Sequence, residues 1–214
     1  MKKTLAALTL IAGFSATAHA ETYSFACIGN GNAANCATGA AQLRVDVLNY
    51  GANQTLFQFT NIGADSSSIA DIYFDDGTLL GIAQINNSSG VSFSALATPG
   101  NLPGANNATP DFVTTAGFSA DSDAPVSLNG VNPGETLGIL FDLQAGKTFG
   151  SVIDALTLAG APGGLRIGLH VQSFGNGGSE SFINVATPVP EASQWLMLLL
   201  GLGLIAARTL NRQH

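Results

Sequence analysis

Apolar and polar residues alternate in short segments through the middle of the chain, which is the pattern of half-buried β-strands. The clearest segment runs from 137 to 143, where Leu137, Ile139 and Phe141 alternate with Gly138 and Asp142, with Leu140 as the one exception. The stretch 98–110 is too rich in Pro, Gly and Asn to continue a strand and predicts a loop. Nine segments show the strand pattern: 43–47, 57–59, 72–74, 80–83, 91–93, 112–118, 137–143, 166–172 and 181–185. Nine short strands separated by turns predict an all-β fold, an antiparallel β-sandwich of jelly-roll type.

Two turns and one helix carry further sequence signals. Asp75-Asp76-Gly77 separates two apolar runs and predicts a hairpin, because its glycine supplies the positive φ that a tight turn needs. The glycine-rich turn 175–178 predicts a final hairpin. In segment 149–156 the apolar residues recur at i, i+3, i+4 and i+7. This spacing predicts one short helix, with Thr148 as its N-cap and Gly160 just beyond its end.

The first twenty residues have the order of a secretory signal peptide. A basic start, Met1-Lys2-Lys3, precedes an apolar stretch at 5–14 and the small-residue cleavage site Ala18-His19-Ala20. We therefore expect segment 1–20 to be removed, so that the mature chain begins at Glu21. The alternative is a buried amino-terminal core helix.

Export bears on the two cysteines, Cys27 and Cys36. In an oxidising compartment two cysteines this close are expected to form a disulfide. A metal site would need more ligands than two thiolates, and no histidine lies near them in the sequence.

The segment between the two terminal signals is acidic. From 21 to 187 it contains 13 acidic residues and only three basic ones, Arg44, Lys147 and Arg166, which leaves a net charge near −10. This balance argues against partners that are bound through their negative charge, such as nucleic acids and anionic lipid surfaces. The segment has the size of one ordinary domain.

The end of the chain combines a short motif, an apolar run and a basic tail. Val189-Pro190-Glu191 precedes an uncharged run at 192–207, and Arg208 and Arg212 follow it. As a helix the run would be about 24 Å long, against a hydrocarbon core of about 30 Å. The basic tail would face the cytoplasm and the rest of the chain the outside. We expect a transmembrane helix at 192–207 and a basic tail at 208–214.

This order of motif, membrane span and basic tail resembles the PEP-CTERM sorting signal of Gram-negative bacteria. The resemblance covers segment 188–214, with the motif at 189–192, and implies an exosortase as the processing partner after export through the Sec translocon. The sequence departs from the family pattern at Ala192, where a second proline is usual, and this leaves the efficiency of cleavage open. A plain membrane anchor at the carboxyl end is the alternative.

The body at 21–187 also resembles a recurring group of PEP-CTERM proteins. The shared segments are Tyr73-Phe74-Asp75-Asp76-Gly77, Asn132-Pro133-Gly134-Glu135 and the strand segment 165–172. The group brings no assigned activity with it. The resemblance implies a cell-surface or extracellular-matrix role associated with exopolysaccharide and biofilm, in a protein held briefly at the inner membrane and then released or attached outside.

Candidate catalytic residues are scarce. The mature body contains one histidine, His170, and no Gly-x-Ser-x-Gly elbow, so we expect a non-enzymatic protein without a cofactor. On alternate positions of one predicted strand lie Arg166, His170 and Gln172, with Glu180 across the hairpin. These four residues form a candidate ligand-binding strip, although a solvated surface would give the same pattern.

Two further patterns leave alternatives open. Carboxylates cluster around one turn at 71–76 and another at 121–123, which would suit structural calcium, but turn chemistry alone also accounts for aspartates there. Tyr23, Tyr50 and Tyr73 are candidate stacking residues if the body is a carbohydrate-binding module. A polysaccharide hydrolase is the third alternative, since two facing carboxylates are recognised only in three dimensions.

Overall fold

The structure is a computed structural model that describes residues 20–29 and 31–188. The predicted signal peptide up to residue 19 and the predicted motif, membrane span and basic tail from 189 onward lie outside the described residues. Within the described part no helix has the length and apolar character needed to cross a membrane. The strands are β1 (Ala20–Cys27), β2 (Leu43–Asn49), β3 (Gln54–Asn61), β4 (Ser68–Asp75), β5 (Leu79–Asn87), β6 (Phe93–Ala95), β7 (Ser119–Ser122), β8 (Thr136–Leu143), β9 (Arg166–Gln172) and β10 (Glu180–Asn184). The α-helices are α1 (Ala33–Gln42), α2 (Val126–Asn129) and α3 (Phe149–Leu158).

All ten of these strands belong to one sheet, in the order β5-β8-β3-β2-β1-β10-β9-β4-β7-β6. The neighbours pair antiparallel, and the edge strands β5 and β6 approach each other, so that the sheet is nearly closed into a barrel. The prediction of an antiparallel all-β fold is confirmed. The finer prediction, a jelly-roll-like sandwich, is not shown, because the ten strands form one sheet in which β1 joins the two halves. Its residues 20–24 pair with β2, and its residues 25–27 pair with β10.

Phenylalanine side chains fill the space inside the curled sheet. Phe74 on β4 meets Phe141 on β8 and Phe57 on β3 edge to face, with ring centroids 4.6 and 5.2 Å apart. All three side chains are fully buried. Burying each one contributes about 1.5 to 3 kcal/mol, and the rings come from both halves of the sheet. The halves are therefore held together by side-chain packing as well as by the shared strand.

Strand β4 departs from simple alternation. Its pairing with β9 is interrupted by one extra residue, Ala70, so that Ile69 and Ile72 both belong to the core. Asp71 lies opposite His170 of β9 and points to the outer face of the sheet. A bulge of this kind redirects a side chain to the other face, and here it moves Asp71 out of the core.

A long connection, residues 96–118, covers the outer face of β4 and β9, and we call it the strap. Strap residues Leu102 and Phe112 pack against Tyr73 of β4 in a second, smaller apolar cluster, and the Tyr73 hydroxyl donates to the Pro99 carbonyl at 3.0 Å. The predicted strand at 112–118 is wrong. Phe112 belongs to the outer cluster and Phe118 to the main core, so this segment crosses between the two instead of following one face of the sheet.

The predicted hairpin at Asp75-Asp76-Gly77 is also wrong. Strand β4 pairs with β7 and β9, whereas β5 pairs with β8 in the other half of the sheet. The Asp76 carboxylate accepts from the Thr78 and Leu79 backbone N–H groups at 2.6 and 2.8 Å, which forms an Asx turn. This turn carries the chain from one half of the sheet to the other. The final hairpin, β9 to β10, is confirmed.

The predicted helix is α3, and its start is confirmed. The Thr148 hydroxyl accepts from the Ser151 N–H at 3.3 Å in a capping box. The residue with positive φ after the helix is Ala159, at +50°, and not Gly160. Gly160 is needed for another reason, since a Cβ there would lie 2.5 Å from the Pro110 ring.

Two further helices were not predicted. Helix α1 begins between the cysteines and contains Cys36, and the Asn32 side chain caps its start by accepting from the Ala34 N–H at 2.9 Å. Helix α2 is a single turn after Pro125.

Candidate functional site

His170 and Asp71 form a close pair on the outer face of the sheet. The two residues face each other on β9 and β4, and His170 Nδ1 lies 2.8 Å from Asp71 Oδ2. Both side chains are largely buried. Because a carboxylate can only accept, Nδ1 carries the hydrogen and donates it, which leaves Nε2 as the nitrogen available to other groups.

Asp121 extends this pair into a row of three ionisable groups. It faces Asp71 from β7. Burial, followed by the Asp71 carboxyl next to it, raises the pKa of Asp121 to about 6. Two neighbouring carboxyls cannot both be charged without cost. The strand register thus places Asp121 beside the pair of Asp71 and His170.

His170 also lines a cavity of about 240 Å³ between the start of β10, the loop after β1 and the strap. The polar side chains on its wall are His170, Glu180, Ser179, Ser181 and Asn107. Glycines form much of the remaining wall, because any side chain would collide with these groups. A Cβ at Gly31 would lie 1.7 Å from Glu180 Oε2, and a Cβ at Gly29 would lie 2.8 Å from Asn107 Nδ2.

The disulfide between Cys27 and Cys36 is confirmed, and it holds the loop that borders this cavity. It joins the end of β1 to α1. Glu180 lies beside it and accepts from the Asn32 N–H at 2.7 Å. Because both sulfurs are bonded to each other, they are not thiolate ligands for a metal.

Two members of the predicted ligand strip lie on the cavity and two do not. His170 and Glu180 line it. Gln172 lies opposite Ser68 near the end of β9, away from the cavity. Arg166 is buried, with 6% of its surface exposed, and its side chain donates hydrogen bonds to the strap. The strip was expected to form one surface. Instead, Arg166 at the start of β9 lies beneath the strap, His170 lies on the cavity, and Gln172 lies beyond it.

Arg166 holds the strap in place. Its guanidinium forms an ion pair with Asp75 and donates to the carbonyls of Pro110 and Asp111, both at 2.7 Å. It also lies over the Phe112 ring, 5.2 Å from the centroid. Its role in the structure is to bind the strap to the sheet.

The other candidate residues have structural environments. Tyr23 and Tyr73 are fully buried, so neither can stack on a sugar, and Tyr50 is half exposed. In the first acidic cluster Asp75 pairs with Arg166 and Asp76 caps a turn. Burial raises the pKa of Asp76, while the hydrogen bonds that its carboxylate accepts from backbone N–H groups act to lower this pKa. Turn and ion-pair chemistry thus accounts for both carboxylates.

The sequence did not reveal Asp71, Ser181 and Asn107 as neighbours of His170. Asp71 and His170 are 99 residues apart, and only the register of β4 with β9, including the bulge, brings them together. Ser181 of β10 faces His170 of β9. The structure has a larger depression, about 420 Å³, near Asn35, Asp65 and Asn176, but Asp65 is the only ionisable residue on its wall.

No protein-family model, curated protein or solved structure matches this chain. The fold and the site define a disulfide-bonded all-β protein with one small polar cavity beside a buried histidine and carboxylate pair. Function is therefore argued from the chain's own residues.

Proposed function

We propose that this chain is an exported surface or extracellular-matrix protein that an exosortase sorts and processes. In this proposal the Sec translocon exports the chain, segment 192–207 holds it briefly in the inner membrane, and cleavage near Pro190-Glu191 releases it or attaches it outside. Its role is structural or adhesive, in association with exopolysaccharide and biofilm.

The observation that carries the proposal is the tail. Val189-Pro190-Glu191, the uncharged run at 192–207, and Arg208 with Arg212 occur in the order of the sorting signal that they resemble. A signal-peptide pattern at the opposite end, 1–20, supports export. The disulfide is compatible with an oxidising environment.

Intact mass and cell fractionation test the proposal in the native cells with and without the exosortase gene. We expect a released species that lacks residues 1–20 and everything after about Glu191. In the deletion strain the chain should accumulate uncut in the membrane. A full-length tail in both strains would reject sorting and leave a plain membrane anchor.

Two substitutions in the motif make the test specific. Glu191→Gln removes the charge of the motif and should block processing. Ala192→Pro restores the Pro-Glu-Pro form of the signal and should increase the processed fraction. Ser193→Ala is the matched control, since it changes the residue after the motif and should leave processing unchanged. Equal processing of all three variants would contradict recognition of the motif.

A further inference from the structure

A serine, a histidine and an aspartate lie in one row across three neighbouring strands. Ser181 on β10 faces His170 on β9, and His170 in turn faces Asp71 on β4. The three residues are each on the outer face of the sheet, and their positions are set by the strand register. This order of groups is the one that activates a serine hydroxyl in hydrolases of unrelated folds.

The histidine is oriented as a base. Asp71 accepts from Nδ1 at 2.8 Å, so that Nε2 is the accepting nitrogen. Asp71 is 3% exposed and is placed on the outer face by the bulge at Ala70. Within the described residues no hydrogen bond yet joins His170 to Ser181. Facing residues have Cβ atoms about 4.5 to 5.5 Å apart, and such contacts often tighten only when a substrate binds.

The residues proposed to react lie on the wall of one cavity. Ser181 and His170 both line the 240 Å³ cavity, and so does Asn107 of the strap, whose side-chain amide nitrogen lies close to Gly29 and Gly104 of the same wall. An amide N–H in that position can donate to an oxygen that becomes negatively charged. The Glu180 carboxylate on the same wall, within a body of strongly negative net charge, disfavours anionic ligands.

We infer that Ser181 is a nucleophile, His170 its general base and Asp71 a positioning residue, in a site that hydrolyses uncharged esters with a small acyl group such as acetyl. Ser181 Oγ bonds to the carbonyl carbon while its proton passes to His170 Nε2, and Asn107 donates to the carbonyl oxygen. The bond from carbon to the alcohol oxygen then breaks, and His170 returns the proton to the leaving alcohol. Water attacks the acyl-serine, again giving its proton to His170, and the acid is released as Ser181 regains its hydrogen. The inference goes beyond the proposed function and does not depend on how the tail is processed.

A small alkyl fluorophosphonate tests the nucleophile directly, because it reacts with a serine hydroxyl that is activated by a base. The test uses the protein purified from its own cells, in the processed form found there, with the labelled residue identified by peptide mass spectrometry. We expect labelling at Ser181, its loss in Ser181→Ala, and its retention in Ser127→Ala, the control at an exposed serine of α2 away from the cavity. A wild-type protein that stays unlabelled, or is labelled at another residue, would overturn the inference.

The role of His170 is tested by the rate of labelling. His170→Gln should reduce the rate by about 100-fold or more. Equal rates in His170→Gln and wild type would overturn the inference.

A second variant keeps the test independent of the probe. The described chain has no free cysteine, so Ser181→Cys introduces a single thiol whose alkylation by iodoacetamide can be followed. We expect this thiol to react at least about tenfold faster near neutral pH when His170 is present than in the double variant with His170→Gln. Equal alkylation rates would show that His170 does not activate position 181.

Discussion

Replacing Arg166 by methionine is the sharpest test of how the strap is held. The substitution removes the guanidinium but keeps an apolar side chain of comparable length in the buried position. It removes the guanidinium donor from the Asp75 carboxylate and from the carbonyls of Pro110 and Asp111, and leaves Asp75 only the long hydrogen bond from the Val113 N–H at 3.5 Å. The contact with the Phe112 ring loses its charge.

The expected loss follows from the burial of these groups. Removing one partner of a buried ion pair costs about 3 to 5 kcal/mol. The Asp75 side chain is 28% exposed and can be partly hydrated, which places the loss at the lower end of this range. The interaction of the guanidinium with an aromatic ring adds about 0.5 to 1 kcal/mol. We therefore expect the free energy of unfolding to fall by about 3.5 to 4 kcal/mol.

Two measurements check this expectation. Urea unfolding followed by far-ultraviolet circular dichroism gives the free energy of unfolding, and hydrogen exchange read by mass spectrometry should show faster exchange in strap residues 105–115. The matched control is Arg44→Met, because the Arg44 guanidinium donates only to nearby carbonyls, those of Ala40, Ala41 and Leu43. Its loss should be about 1 kcal/mol or less. If Arg166→Met behaved like this control and strap exchange were unchanged, Arg166 would not hold the strap.

Two further predictions concern the acidic row and the disulfide. The pKa of Asp121 is raised in the folded state to about 6, so its charge destabilises the fold above that pH, and this penalty disappears as pH falls toward about 4. Asp121→Asn should therefore raise the free energy of unfolding, measured by urea unfolding at pH 8, by about 1 kcal/mol after solvent screening, but not at pH 4. The exposed Asp65→Asn is the control, and an equal gain at both pH values would contradict the argument. Replacing Cys27 and Cys36 together by alanine opens a loop with a sequence separation of 9 and should lower the free energy of unfolding by about 2.5 to 3 kcal/mol. Thermal unfolding measures this loss, and reduction of the wild type by dithiothreitol should give the same loss. An unchanged unfolding transition would refute the prediction.

Elements governed by local chemistry were predictable. The alternation at 137–143 correctly predicted β8. Helix α3 was correctly predicted from a threonine cap and the spacing of Phe149, Val152, Ile153 and Leu156. Each of these signals depends on residues within one element. The disulfide was predictable in the same way, because its two cysteines are close in the chain and no others compete for them.

Features that depend on distant pairing were not predictable. The Asx turn at Asp76 has the composition of a hairpin turn, and only the pairing of β5 with β8 shows that it links two halves of the sheet. The candidate site was missed for a related reason. One extra residue in β4, Ala70, decides which face carries Asp71, and no single-strand pattern records it. Arg166 was assigned to a surface because the sequence does not show that the strap covers it.

The shared strand β1 has a consequence for the order of folding. Its residue Phe25 pairs with Asn184, so the sheet joins the start of the body to its end over a sequence separation of 184 − 25 = 159. Contacts of such long range form late, because much of the chain must be ordered first. In a chain that crosses a membrane from its amino end, β1 emerges first and cannot pair with β10 until β10 has also crossed. Only Val185 to Pro188 separate β10 from the predicted sorting motif. If the chain is exported as proposed, the body would be completed just as that motif reaches the membrane.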